Sequence, residues 1–262
     1  MSLILLGLSI LPVIVLMIYI YRQDKYQKEP IKSLSKAFFG GILAIPLDFI
    51  IVGAINRIWV SDTVFYCAFW EAGFPEELSK LLIFLIFIWR DKNFDEWFDG
   101  IIYATFIGLG FACVENILYV FGAATGSIGA AFHTSISRAL LSVPAHFLFG
   151  VVLGYFLSLA KFKDKFLQYT LTGLLLAATC HGLFDWILMI SEQLSDGVSA
   201  ILTLVFYVGD FYLWKLGLKY IRKHQENSRQ QAIETQISNT DFSGKNYDSE
   251  YKRIDWNAGN RQ

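Results

Sequence analysis

Leu81 to Trp89 reads L-L-I-F-L-I-F-I-W, and the stretch before it, Phe74 to Lys80, reads F-P-E-E-L-S-K. Consecutive large apolar side chains leave a helix no polar face, so protein or lipid must enclose it on every side. Two carboxylates and an ammonium nevertheless stand at its mouth, where an ionisable group costs about 2.5 to 3.5 kcal/mol on insertion scales and therefore faces protein or water. The stretch predicts a membrane helix that opens into a polar chamber.

The rest of the chain extends the first half of that reading. At 262 residues, 55% apolar and 16% aromatic, the composition belongs to membrane proteins. A net charge of -1 supplies no basic field, so nucleic acid is excluded as a partner. Cys67, Cys113 and Cys180 are widely spaced, which implies neither a disulfide framework nor a thiolate metal site. Seven apolar segments, near 2–21, 37–57, 66–89, 100–122, 137–160, 167–190 and 198–217, each approach the roughly 20 residues that cross a hydrocarbon core. The expected fold is thus an all-α polytopic bundle of about seven transmembrane helices embedded in the lipid bilayer. Met1 to Ile20 lacks a basic leader region and a small-residue cleavage pattern, so it reads as a retained first span.

Lys and Arg cluster in alternate connections: Arg22 to Lys36, Arg90 and Lys92, Lys161 to Lys165, and Lys215 to Lys223. The connections between them, Ser61 to Phe69, Gly122 to Ser137 and Ser191 to Gly197, carry none. Because basic loops stay on the cytoplasmic side, the N-terminus is expected outside and the C-terminus inside the bacterial cytoplasmic membrane. Residues 1–221 read as one transmembrane domain, and 222–262, polar and poor in aliphatics, as a disordered cytoplasmic tail.

Polar residues inside the spans carry the functional signal. Glu76, Glu77 and Lys80 lie in the third, Glu115 and Asn116 in the fourth, Arg138 and His146 in the fifth, and His181 and Asp185 in the sixth. Glu76 is 14 residues before Arg90, Glu115 is 16 after Asp99, His146 is 15 before Lys161 and His181 is 16 after Lys165. At 1.5 Å per residue these four share a level roughly 21 to 24 Å from the inner boundary. Glu76 and Glu77 can each reach Lys80, and His181 can reach Asp185, on common helix faces. Pro75, after Gly73, is expected to break the third span. Arg138 and His133, near the outer membrane boundary, read as structural; Gly150 and Gly154, like Gly108 and Gly110, read as close helix contacts. Asp48 and Asp210 receive no role.

Converging carboxylates and imidazoles in a semi-wet pocket suit hydrolysis of a peptide bond at membrane depth. Two mechanisms fit. In the favoured one, which needs no cofactor, Glu76 activates water, Glu115 and His146 position it, and His181 with Asp185 supports the oxyanion. In the other, Glu115, His146 and His181 bind a zinc-like divalent metal and Glu76 is the base. The rival classes are a proton-coupled transporter or channel, and a scaffold whose polar cluster only specifies packing.

At these residues the sequence resembles the PrsW family of bacterial intramembrane proteases, related to the group that contains the CAAX prenyl endopeptidases. E-E-L-S-K at Glu76 to Lys80 resembles its EExxK element, F-A-C-V-E-N at Phe111 to Asn116 its FxxxEN, and H-G-L-F-D at His181 to Asp185 its HxxxD. P-A-H-F-L-F-G around His146 is similar to a further histidine element. The resemblance implies an endopeptidase that makes the first cut in a membrane-anchored, single-span anti-sigma factor, on its extracytoplasmic side, and so starts a stress response. It implies catalytic importance for Glu76, Glu77, Glu115 and His181, and extends to Lys80, Asn116, His146 and Asp185. The prenyl endopeptidases carry His where this chain has Glu115, so a prenylated substrate does not carry over.

Overall fold

In the computed structural model, which describes residues 2–241, α1 (Ser2–Gln23) and α2 (Ile31–Ile58) precede a single turn, α3 (Val64–Tyr66). A π-helical stretch, Cys67–Gly73, then leads into α4 (Phe74–Phe87), and α5 (Asp99–Ala124) and α6 (Ile128–Ser137) come next. A second π-helical stretch, Arg138–Ser142, leads into α7 (Val143–Phe162), before α8 (Phe166–Ser191) and α9 (Asp196–Asp241). The described residues contain no strand, so the fold is the all-α bundle expected.

Six of the helical segments are long and apolar enough to cross a membrane. The third expected span falls on the continuous run α3–π–α4, whose 14-residue α4 carries Glu76, Glu77 and Lys80 within its first two turns. That run does not break at Pro75. A proline offers no N–H to the carbonyl four residues earlier and crowds it, and here the helix widens instead, with Phe74 N donating to Phe69 O five residues back. Pro144 comes after the second π stretch in the same way, where Val143 N donates to Arg138 O.

α5 lies at the centre, packed by α7, α2, α1 and α4, while α8 closes over α7, α4 and the first π stretch. The complete burial of α5 from Asp99 to Cys113 stems from a sequence apolar on every face and from glycines that admit neighbouring backbone. A Cβ on Gly108 would meet His146 O at 2.9 Å, and one on Gly150 would meet Thr105 Cα at 2.9 Å, so both expected close contacts occur, at the α5–α7 seam. Gly73 plays the same part between the first π stretch and α8, where a Cβ would lie 2.7 Å from Gly182 N.

The basic connections meet at one end of the bundle. Lys36 pairs with Asp91 at 2.9 Å, Gln27 Nε2 donates to Asp95 Oδ1 at 2.9 Å, and Lys161 Nζ donates to Trp89 O at 3.0 Å. α9 reaches the same end and corrects the tail boundary. Over 222–241 the chain is helical, with His224 and Ser228 fully buried. Ser228 Oγ accepts from Phe98 N at 3.0 Å, and Gln231 Nε2 donates to Asp95 O at 2.7 Å. Helix continuation and docking overcome the polar composition there; the expectation for 242–262 lies outside the described residues.

Candidate active site

Four helices bring the co-level residues together. α4 places Glu76 and Glu77 in its first turn, where the amide groups of a helix start favour negative charge. Three and four residues on, Lys80 Nζ donates to Glu77 Oε1 at 2.7 Å and to Glu76 Oε2 at 3.3 Å. Phe111 of α5 packs beneath that ammonium, its ring centroid 4.2 Å away. Lys80 Nζ also lies 3.1 Å from His146 Nδ1, and His146 Nε2 lies 2.7 Å from Glu115 Oε2.

His181 of α8 is the second imidazole. Its Nδ1–H donates to Glu77 Oε1 at 3.0 Å, while Nε2 lies 3.4 Å from Asp185 Oδ2 and 3.8 Å from Glu76 Oε2. Phe149, one turn after His146 on α7, stacks on the ring at 4.7 Å, and the two imidazoles stand perpendicular with centroids 5.1 Å apart. Each ring is thus held by one charged α4 residue at Nδ1 and by aromatic packing.

These groups border a cavity of about 410 Å³ lined by Glu76, Glu115, His146, His181 and Asp185, with Arg138, Tyr119, Glu71, Cys67 and Ser142 completing its polar wall. Glu77 and Lys80 are not on that wall; they lie behind it, with side chains 0% and 4% exposed. Asn116 is also turned away from it. It is buried, donates to Ser9 O of α1 at 2.7 Å, and accepts from Arg138 Nε at 2.9 Å. It ties α1 to the site and steers Arg138.

Arg138 is the residue that reading by position missed. Rather than ending at the membrane surface, it turns inward from the second π stretch, and its Nη2 lies 2.8 Å from Glu115 Oε2. Its guanidinium carbon stands 4.2 Å from the Tyr119 ring centre. Glu115 is thereby held between a guanidinium and an imidazole. His133 stays exposed, as expected of an interface residue.

The donor set also differs from the one expected for a metal. Ligand atoms of Glu76, His146 and His181, all buried, lie within 4.8 Å of one another, and Glu115 is not part of that group. Counting residues gives the level of a side chain but not the direction it faces, and Glu76, not Glu115, faces between the two rings. One carboxylate and two imidazoles with cavity space beside them fit a three-ligand divalent site with an open position. The Nδ1–H of His181 on Glu77 is the supporting contact such a ligand needs.

Comparison with known proteins is consistent with this geometry. The profile described as PrsW family intramembrane metalloprotease matches residues 29–211. A protein named Protease PrsW from Clostridioides difficile (strain 630) is 34% identical over 228 residues, covering 85% of this chain and 92% of its own length. Its namesake from Bacillus subtilis (strain 168) is 34% identical over 220 residues, covering 82% and 93%. That from Oceanobacillus iheyensis is 35% identical over 225 residues, covering 85% and 97%. No solved structure matches the chain.

Proposed function

The chain belongs to the PrsW family of intramembrane metalloproteases, a multi-pass protease of the cell membrane, and from that premise we propose that its Glu76–His146–His181 centre cleaves a peptide bond within a membrane-anchored protein. The observation that carries the reading is the meeting, within 4.8 Å, of one carboxylate from α4 and imidazoles from α7 and α8 beside a polar cavity.

Glu76, His146 and His181 would hold a zinc-like divalent ion, which when bound supplies Lewis-acid polarisation and a more acidic water. The remaining residues do the rest. Glu115 takes the position of general base: it lines the cavity, and its carboxylate is fixed by Arg138 and His146. It accepts a proton as the water oxygen bonds to the scissile carbonyl carbon, then delivers that proton to the leaving amine as the C–N bond breaks. Arg138 has its remaining N–H groups for the negative charge that develops on the carbonyl oxygen. Asp185 and Glu77 orient His181, and Lys80 compensates the charge of Glu76 and Glu77, which would otherwise be buried unpaired.

The finer reading is that the substrate is a single-span anti-sigma factor cut first at this site, starting a stress response. It is supported by the motif resemblance and by the cavity's level, far from the basic-loop end. The test is cleavage of a membrane-tethered reporter by Glu76→Ala and His181→Ala. Each is expected to insert and fold yet to lose cleavage by about 10³-fold or more, and wild-type rates in either would reject the assignment.

A further inference from the structure

The basic-loop end of the bundle contains a second cluster of acids that catalysis does not use. Asp24 and Glu29 come from the α1–α2 connection, Asp95 and Glu96 from the α4–α5 connection, and Asp99 from the first turn of α5. Asp24, Glu29, Glu96 and Asp99 are at most 5% exposed, while Asp95 is exposed and gives the group a face to water. One oxygen of several of these carboxyls is used locally. Asp24 Oδ2 accepts from Glu29 N at 2.9 Å, and Asp99 Oδ2 accepts from Asp95 N at 2.9 Å and Glu96 N at 2.6 Å. Tyr103 Oη donates to Glu29 Oε2.

The other oxygens have no donor. Asp24 Oδ1, Glu29 Oε1, Glu96 Oε1 and Asp99 Oδ1 are all buried without a hydrogen-bond partner. Lys36 pairs with Asp91 and Lys161 donates to the Trp89 carbonyl, so neither ammonium hydrogen-bonds these oxygens. A buried carboxylate oxygen without a partner is destabilising unless a cation meets it. Ligand oxygens of Glu29, Asp95 and Asp99 already lie within 4.8 Å of one another.

We infer that Glu29, Asp95 and Asp99, flanked by Asp24 and Glu96, bind a hard divalent cation of the Mg²⁺ or Ca²⁺ class that clamps the α1–α2 connection to the start of α5. An all-oxygen, carboxylate-rich donor set selects such ions over the softer metals that imidazole attracts. The site is separate from the active-site cavity: Asp99 and Glu115 are 16 residues apart on one unbroken helix, roughly 24 Å. α9 leans on the same loop through Ser228 and Gln231, so the cation would also fix the extended end of that helix.

The purified full chain in detergent is titrated with Mg²⁺ and with Ca²⁺ against NaCl of equal ionic strength, and unfolding is followed by intrinsic fluorescence. The expected result is a saturable rise in Tm with a divalent ion alone, kept in Glu76→Gln and lost in the double variant Glu29→Gln/Asp99→Asn. No saturable rise in the wild type, or the same rise in the double variant, overturns the inference. Should the double variant fail to insert, Tb³⁺ emission sensitised by tryptophan, Trp97 being adjacent to Glu96, is read on the wild type and on Glu96→Gln. Emission displaced by Ca²⁺ and weakened in Glu96→Gln supports the site, and its absence in the wild type overturns it.

Discussion

His181 touches three carboxyl groups from two helices, and that crowding explains why one change should matter more than its neighbours. Glu76 and Asp185 approach Nε2 from the cavity side, and Glu77 fixes Nδ1 from behind. Arg138 does for Glu115 what Glu77 does for His181, through one charge contact to the carboxylate and one hydrogen bond to Asn116. Arg138→Ala is expected to lower kcat by about 10- to 100-fold with intact folding. Arg138→Lys should restore little of it, because an ammonium cannot span Asn116 and Glu115 with a planar fork. Steady-state cleavage of the tethered reporter checks both, and a wild-type kcat in Arg138→Ala would leave Glu115 without its holder. Glu76, Glu115, His146 and His181 were legible because rise along a helix converts residue counts into depth. Arg138 was not, since a long side chain reaches well below its own Cα. Asn116 lies one residue past Glu115, a turn of about 100°, enough to face α1.

The two π-helical stretches share a design: each ends two residues before a proline, and each proline precedes a site residue, Pro75 before Glu76 and Pro144 before His146. A π stretch holds an extra residue in a turn, which rotates the downstream helix relative to the upstream one, and such insertions recur at functional sites. Pro75→Ala restores an N–H that can bond to the carbonyl of Glu71, removing the reason for the wide turn. The expected outcome is a Tm equal to or above wild type together with a marked loss of cleavage, as Glu76 and Glu77 rotate off His181. Lower stability with full activity would contradict this. The sequence signalled a disturbance at Pro75 but not its form, because proline is equally compatible with a kink, a break or a widened turn. The same difficulty hid the end of α9. Ile221, His224 and Ser228 are buried at helical spacing, yet two of the three are polar, and composition outweighed period.

Over the whole molecule, charge outside the membrane and charge inside it are sorted to different places. Basic connections gather at one end, with the acidic cluster among them, and the acids of the proposed centre lie away from that end. In a chain whose native cysteines are replaced by alanine, Ser127→Cys should react in intact cells with a membrane-impermeant maleimide, and Lys163→Cys only after permeabilisation. The reverse pattern would invert the proposed orientation and place the cut on the cytoplasmic side. The sequence reads seven spans, whereas six helical segments are long and apolar enough to cross, and the α3–π–α4 run, which carries Glu71, Glu76, Glu77 and Lys80, is the one outside that set. Fold class was plain from apolar length alone. The most direct test of the proposed centre is the transition-metal content of the purified chain, measured beside reporter cleavage before and after chelation. About one zinc-class ion per chain is expected, lost in Glu76→Ala, His146→Ala and His181→Ala, with cleavage abolished by chelation and restored by adding the metal back. A chain that carries no such ion and still cleaves at full rate, or one whose metal survives all three substitutions, would contradict it.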